Sequence, residues 1–495
     1  MLLADIIRMG AARHGPRVAV RFADEALSFA EVDTLSTGMA LRLAARLPVQ
    51  GFVAILASNG LLSLPLDFAC AKARVVRVPL NPRLSAAEHE AMVRRMGAGL
   101  LIYSVDQAER AAVLATALPG LVLLPLENLA AEAAGAPGDL TEPEAGDRVL
   151  TIFTSGTTGR LKAVVHTQAT WGACALNILD NLLDPRPGDA MLHAASLFHA
   201  SGTLLPPYWL RGAAAAVLPG FEPGAYMEAV ERWRPTALML VPTMIAMLLD
   251  HPAFDPARFA SVDAILYGAS PMPRPLIERG LALLGPRFVQ FYGQTEAPLA
   301  IAALGKEDHL DPTLLGCCGR AARDVELRID APPGEPGEVM LRAPFAMTGY
   351  HDEPELSAET ITVDGWMRTR DIGRIDERGY LALVDRTSDM IVTGGYNVYP
   401  KEVEDILVGH PAVREAAVVG VPDDTWGEAV LAFVVLRGGV EAEPEALRLH
   451  CQERLARYKA PKEVRFIEAI PVSAVGKPLR RALRDPFWAG QGRKV

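Results

Sequence analysis

The sequence predicts an α/β fold: a large N-terminal domain of mostly parallel α/β layers with a β subdomain, then a small C-terminal α+β domain. Three observations predict it. From about Val53 to Phe291, short apolar runs alternate with amphipathic stretches, the pattern of βαβ units around a parallel sheet. Near residue 320 the texture changes to short alternating runs separated by Gly and Pro. After Asp385-Arg386 it changes again, into a mixed unit of about a hundred residues. The domain limits that follow are 1–385 and 386–495. At about 150 residues per domain, 495 residues allow two to four folding units.

In chain order, Val53–Leu56, Ala237–Val241, Val262–Tyr267 and Phe288–Tyr292 are apolar runs of strand length. Tyr226–Trp233 and Pro275–Leu284 repeat apolar residues at three- and four-residue spacing and predict helices. Asp324–Asp330 alternates polar and apolar. Gly337–Arg342 and Tyr380–Val384 are further short runs, and Pro332-Pro333-Gly334-Glu335-Pro336-Gly337 breaks the chain between them. This reads as a smaller antiparallel region. Beyond it, Pro400–Val408 and Pro444–Leu455 predict helices, and Ala416–Val421, Val430–Leu436 and Val464–Phe466 predict strands. The polar tail from Gly490 to Val495 predicts frayed chain.

Composition narrows the function classes. Half the residues are hydrophobic and 22% are charged, which supplies a large core and excludes wholesale disorder. Lys plus Arg is 49 against 59 for Asp plus Glu, a net charge of −10, so no basic surplus points to nucleic acid or an anionic membrane. Cys70, Cys174, Cys317, Cys318 and Cys451 form no CxxC pair, which indicates neither a disulfide framework nor a structural zinc site. A reducing cytoplasm is the expected setting. Asp5 comes too early for a signal-peptide core, and the longest uncharged stretches carry His, Ser, Gly and paired prolines, which makes them poor membrane spans.

The strongest local signal is Thr154-Ser155-Gly156-Thr157-Thr158-Gly159-Arg160-Leu161-Lys162, set between the apolar runs Val149–Phe153 and Ala163–Val165. Glycines admit close approach of the backbone to an anion, hydroxyls add donors, and Lys162 adds charge. The composition is that of a polyphosphate cradle; a polar hairpin is the plainer reading. It is not a Walker A loop, because Leu161 and Ala163 stand where Gly and Ser/Thr would flank the lysine. Tyr292-Gly293-Gln294-Thr295-Glu296 ends a predicted strand with a flat ring, a hydroxyl and a hard oxygen ligand suited to Mg²⁺. Asp371, before Ile372-Gly373, is a turn residue or a fixed carboxylate for a ribose diol. Lys477, in Val475-Gly476-Lys477-Pro478, is a solvated basic turn or a cation delivered to a phosphoryl transition state.

In this order and spacing the motifs resemble the ANL superfamily of acyl-CoA synthetases, adenylation domains and firefly luciferases, over nearly the whole chain. The resemblance implies a large domain that binds ATP and a carboxylic acid, and a small mobile lid domain that rotates between two half-reactions. A carboxylate and Mg·ATP give an acyl-adenylate and pyrophosphate; a thiol, usually of coenzyme A, then gives a thioester and AMP. The implied roles follow the motifs. Thr154, Ser155, Gly156, Thr157, Thr158, Gly159 and Lys162 hold the β- and γ-phosphates. Gly268, Ala269 and Ser270 line the adenine and acyl sites. Tyr292 with Gly293 meets adenine, Thr295 the α-phosphate, and Glu296 the Mg²⁺. Asp371 and Arg386 hold the ribose, and Lys477 bridges carboxylate and α-phosphate. His199 gates the acyl pocket. Gly394 and Gly395 border the pantetheine tunnel, which Trp426 either lines or leaves for plain packing. Ser388 occupies the hinge position.

Some positions depart from the family pattern. Ala163 follows Lys162 where Gly is common, and Arg370 precedes Asp371 where Gly is usual. Ser388 replaces the usual Asp or Lys, with Asp385 and Asp389 close by. Cys317-Cys318 stands in a segment that is more typically rich in Gly and Pro. The leading expectation is an AMP-forming acyl-CoA synthetase using ATP, Mg²⁺ and CoA; the alternative is an adenylating enzyme that loads a carrier-protein phosphopantetheine. Amino-acid activation is disfavoured, because that branch has Asp where His199 stands. Ala200–Leu204, Ala269 and Ala297–Ala300 are apolar or small and hold no cation for a second carboxylate, which points to an apolar acyl or aryl acid. A symmetric homodimer is the common default for the assembly.

Overall fold

The computed structural model describes residues 1–155, 161–198, 200–270, 272–386, 389–393, 396–423, 426–472 and 478–489. The chain divides into two compact units. The first is Met1–Ala269, Arg279–Leu327 and Leu341–Met367; the second is Ser270–Glu278, Arg328–Met340 and Arg368–Val495.

Two largely parallel sheets build the first unit. In one, strand Phe52–Leu56 lies between Val76–Pro79 and Leu100–Tyr103, all parallel, with Val122–Pro125 beyond. Val53, Ala54, Ile55 and Leu56 are all fully buried, as a strand covered on both faces requires. In the other, Val18–Phe22, Ala214–Val217, Ala190–His193, Ala237–Leu240, Ala264–Gly268 and Phe288–Gln294 run parallel in that spatial order. Strand Ala297–Leu304 then returns antiparallel. In such sheets ligands meet the loops beyond the carboxyl ends of the strands, where the motif residues Gly268 and Tyr292–Glu296 fall.

Local chemistry fixes the helices between them. Helix Ala86–Met96 begins with a reciprocal cap, the Ser85 hydroxyl accepting from Glu88 N–H while Glu88 accepts from Ser85 N–H at 2.8 Å. It ends at Gly97, whose φ of +61° suits glycine. Ser28 and Glu31 repeat that cap for helix Phe29–Ala44. Helix Leu3–His14 packs on Trp209, whose indole N–H donates to the Ile7 carbonyl at 2.8 Å. A Cβ on Gly10 would lie 2.2 Å from that ring, so only glycine lets the helix approach.

The first unit also buries two histidines completely, and burial pulls the imidazole of His166 down to about 4 and that of His193 to about 3. The unfolded chain takes up those protons near 6.5, whereas the folded chain refuses them until the lower values. Stability of this unit therefore falls as the pH drops below about 6.5, by about 1.4 kcal/mol per pH unit for each such histidine, and levels off below the folded values. Urea unfolding across that range checks this. His193→Gln should roughly halve the dependence, because glutamine does not titrate while His166 still does.

The second unit carries strand Tyr380–Arg386 and most of strands Glu326–Asp330, Gly337–Arg342 and Met367–Ile375, which lie side by side. It also carries a separate sheet centred on the long antiparallel pair Val413–Asp423 and Gly427–Leu436, which strand Glu463–Phe466 joins in parallel. Helices Pro400–Val408 and Pro444–Gln452 cover one face through Val403, Leu407, Leu447 and Cys451. Arg480 pairs with Glu404 at 2.6 Å and with Asp389 at 3.0 Å, all three side chains being largely buried.

Candidate active site

Within the first unit, strands Arg148–Ser155 and Leu161–Thr167 form an antiparallel pair that sets Thr154 opposite Lys162. Of the phosphate motif, Gly156, Thr157, Thr158 and Gly159 lie outside the described residues, as does the Ser155 side chain. The short strand Gly349–Tyr350 pairs along the far edge of Leu161–Thr167, with Tyr350 opposite Val164. Lys162 and Val164 are two residues apart and share a face. The Lys162 ammonium accordingly lies 5.4 Å from the centre of the Tyr350 ring. The Tyr350 hydroxyl in turn donates to Glu296 Oε1 at 2.9 Å.

The backbone of Thr295-Glu296 is held from two sides. Met347 N–H donates to the Glu296 carbonyl at 2.7 Å. His166 Nε2 lies 2.8 Å from the Thr295 carbonyl, and since that oxygen only accepts, Nε2 carries the proton. His166 Nδ1 then accepts from Thr170 Oγ1 at 3.4 Å. The structure thus ties Lys162, Thr295 and Glu296 to three residues that sequence reasoning did not single out, His166, Met347 and Tyr350, with Thr154 opposite Lys162 on the neighbouring strand. No local motif marks them, because their role arises from strand pairing between distant segments.

Beside this group, Gly268 ends its strand opposite Phe291, and a Cβ on it would meet the Phe291 carbonyl at 2.5 Å. Gly293 is equally confined, against the backbone of Leu299 at 2.4 Å. Tyr292 is buried, and a register shift between Tyr292 and Gln294 re-aims the strand end. Ala269 and Leu299 adopt positive φ, +66° and +61°, a conformation that costs a side chain about 1–2 kcal/mol. Such strain clusters at ligand sites.

On the acyl side, His199 lies outside the described residues. Ser201, Gly202, Thr203 and Leu204 form a buried turn of 3-10 helix, and a Cβ on Gly202 would clash with the Leu197 carbonyl. Ser201 Oγ is hydrogen-bonded to His193 Nδ1 at 2.8 Å, which ties this turn to a strand end.

In the second unit, Asp371 stands directly across a β-hairpin from Arg386, the residue expected to share the ribose with it. Asp371 is only 6% exposed, and its N–H donates to Thr369 Oγ1 at 3.1 Å. Arg370 has a φ of +61° and donates its N–H to Glu338 Oε1 at 2.9 Å. This explains the usual glycine there: the position is left-handed, and Arg370 occupies it at a cost in strain. Ser270 also belongs to this unit. Trp426 is 51% exposed, with the Lys462 ammonium 5.5 Å from its ring centre, so it fills no core. Ser388, Gly394, Gly395 and Lys477 lie outside the described residues, together with the Arg386 side chain.

No cluster of three or more His, Cys, Asp or Glu side chains suited to a metal occurs among the described residues. Mg²⁺ in nucleotide sites is commonly held by one or two carboxylates plus substrate phosphates. Glu296 fits that pattern, since one Tyr hydroxyl leaves the carboxylate with spare acceptor capacity.

The family model described as AMP-binding enzyme matches residues 7–351, and that described as AMP-binding enzyme C-terminal domain matches residues 402–477. The chain belongs to this family, and so to the ANL superfamily of adenylate-forming enzymes. It is an AMP-forming acid–thiol ligase. A feruloyl-CoA synthase of Amycolatopsis sp is 37% identical over 494 residues, covering 96% of this chain and 97% of that protein. A fatty acid–[acyl-carrier-protein] ligase, ScoC of Streptomyces coeruleorubidus, is 35% identical over 450 residues, covering 86% and 85%. Among solved structures, the amide bond synthetase McbA of Marinactinospora thermotolerans superimposes with a TM-score of 0.90 at 31% identity, over 98% of this chain and all of that one.

Proposed function

We propose that the protein is an ATP-dependent acyl-CoA synthetase that converts an apolar acyl or aryl carboxylic acid, through an acyl-adenylate, to a CoA thioester. The observation that carries this is the convergence of Lys162, Thr295 and Glu296 on Tyr350 and His166, a cationic and oxygen-rich end suited to a polyphosphate. In the first step a carboxylate oxygen attacks the α-phosphorus and pyrophosphate leaves. Both reactants are anions, so the barrier is mainly one of charge and position. Lys162 and the Thr154–Gly159 loop take the β- and γ-phosphates, Thr295 the α-phosphate, and Asp371 with Arg386 the ribose. Glu296 holds Mg²⁺, which when bound neutralises phosphate charge. Lys477 bridges the carboxylate and α-phosphate oxygens.

In the second step the thiol sulfur attacks the acyl carbon and AMP leaves. Residues 386–495 act as the lid, turning about Ser388 to withdraw Lys477 and admit the thiol arm past Gly394, Gly395 and Trp426. CoA as acceptor is supported by the feruloyl-CoA synthase relative, which is matched over nearly its whole length. The relative named as a carrier-protein ligase supports a second reading, in which the thiol belongs to a carrier-protein phosphopantetheine. No helix among the described residues is long and apolar enough to cross a membrane, and the cytoplasm is the proposed setting.

Pyrophosphate release from Mg·ATP tests the reading, across fatty, aryl and dicarboxylic acids, with and without CoA. Acyl and aryl monoacids should release pyrophosphate faster with CoA and yield a thioester. Each buried CH₂ of a matching tail is worth about 0.8 kcal/mol. A malonate-like diacid should fail, since Ala200–Leu204 and Ala297–Ala300 offer no cation. Release that stalls after one turnover despite CoA would favour the carrier protein.

A further inference from the structure

Tyr350 touches both charged groups at the phosphate end of the site. Its hydroxyl donates to Glu296 Oε1 at 2.9 Å, and its ring lies under the Lys162 ammonium at 5.4 Å. The segment that carries it is stitched along its whole length. Thr348 N–H donates to the Val165 carbonyl at 3.1 Å, and His351 N–H to the Ala163 carbonyl at 2.8 Å. Tyr350 N–H donates to Ser357 Oγ at 2.9 Å, and Met347 N–H binds the Glu296 carbonyl itself. Gly349, with a φ of +142° and Ser357 Oγ only 3.0 Å from where a Cβ would sit, lets the chain turn against that serine. Tyr350 is buried, so its ring and hydroxyl have little room to reorient.

A carboxylate that must share a cation with a polyphosphate gains from being held in one orientation beforehand. A flexible lysine gains likewise from an aromatic face that limits its rotamers without removing its charge. We propose that Tyr350 is a positioning residue for adenylation: its hydroxyl orients Glu296 for the divalent cation that accompanies ATP, and its ring steadies Lys162 for the phosphates. The residue thereby makes cation binding and phosphate binding depend on one side chain. This rests on the adenylating reading above.

The test is calorimetric ATP binding to the intact protein, without acid or CoA, over a series of Mg²⁺ concentrations. Tyr350→Phe removes only the hydroxyl. It should move the Mg²⁺ dependence to about tenfold higher concentration, toward the low end of what a hydrogen bond to a charged group is worth, and leave metal-free ATP affinity unchanged. Tyr350→Leu removes the ring as well and should also weaken metal-free ATP binding, by roughly two- to fivefold. The KM for the acid should not move in Tyr350→Phe, and its melting temperature should stay near that of the parent. A Tyr350→Phe protein with the parental Mg²⁺ dependence overturns the proposal, as does an equal loss with and without the metal, which would mark a merely structural role. Failure of the parent protein to bind ATP at any Mg²⁺ concentration would instead sink the adenylating reading, and this inference with it. If Tyr350→Leu does not fold, Tyr350→Phe alone decides.

Discussion

Replacing Lys477 with alanine should lower acyl-adenylate formation by about 10²- to 10³-fold, the usual effect of deleting one preorganised group that stabilises developing charge. Attack of CoA on supplied acyl-adenylate should keep most of its rate, because in the proposed cycle the lysine is withdrawn before that step. The described residues on either side of position 477 are tied to the second unit. Val472 and Pro478 form a β-bridge, and Leu479 N–H donates to the Pro471 carbonyl at 2.8 Å. Arg480, three residues beyond Lys477, is clamped by Glu404 and Asp389. Asp389, adjacent to position 388, and Arg480 therefore share one ion-pair cluster. Separate assays of pyrophosphate exchange and of thioester formation from synthetic adenylate distinguish the steps. Equal loss of both would refute the division of labour between them.

Much of the fold was legible because it follows from local periodicity. Strand Gly337–Arg342 and helix Pro400–Val408 occupy the predicted limits, and Phe288–Gln294 and Ala264–Gly268 differ from them by one or two residues. Fully buried parallel strands write themselves as apolar runs, and Pro at a helix start marks its first turn. The Thr154–Lys162 and Tyr292–Glu296 motifs stand out for another reason: each is contiguous, so a chemistry can be proposed for it without the fold. His166 and Tyr350 do not, since each acts across more than fifty residues of sequence on a backbone or carboxylate oxygen elsewhere. Arg370 lies between these cases. Its departure from the family pattern was visible, but the positive φ that explains the usual glycine is a property of the hairpin Met367–Ile375 with Tyr380–Arg386.

The other large effect concerns the core beneath the site. Asp67, on helix Ser63–Lys72, and Arg77, in strand Val76–Pro79, pair at 2.5 Å with side chains only 4% and 5% exposed. Burial pushes the Asp67 carboxyl above its ordinary value, and the Arg77 guanidinium beside it offsets only part of that rise. Arg77→Met leaves a buried carboxylate without its counter-ion, so the first unit should lose about 3–5 kcal/mol in urea unfolding at neutral pH. Part of that loss should be recovered on acidification. With Arg77 gone, the folded carboxyl stays above its unfolded value of 3.8, so protonation favours the folded chain. The double variant Asp67→Leu with Arg77→Met should lie within about 1–2 kcal/mol of the parent, since apolar packing replaces a buried ion pair at little cost. Consequences for the site follow through contacts: Arg77 lies 5.7 Å from the Trp171 ring centre, Trp171 packs at 5.3 Å on His166, and His166 holds the Thr295 carbonyl. A single variant that loses less than about 1 kcal/mol would mean that Asp67 is protonated, and the pair not ionic, already in the parent protein.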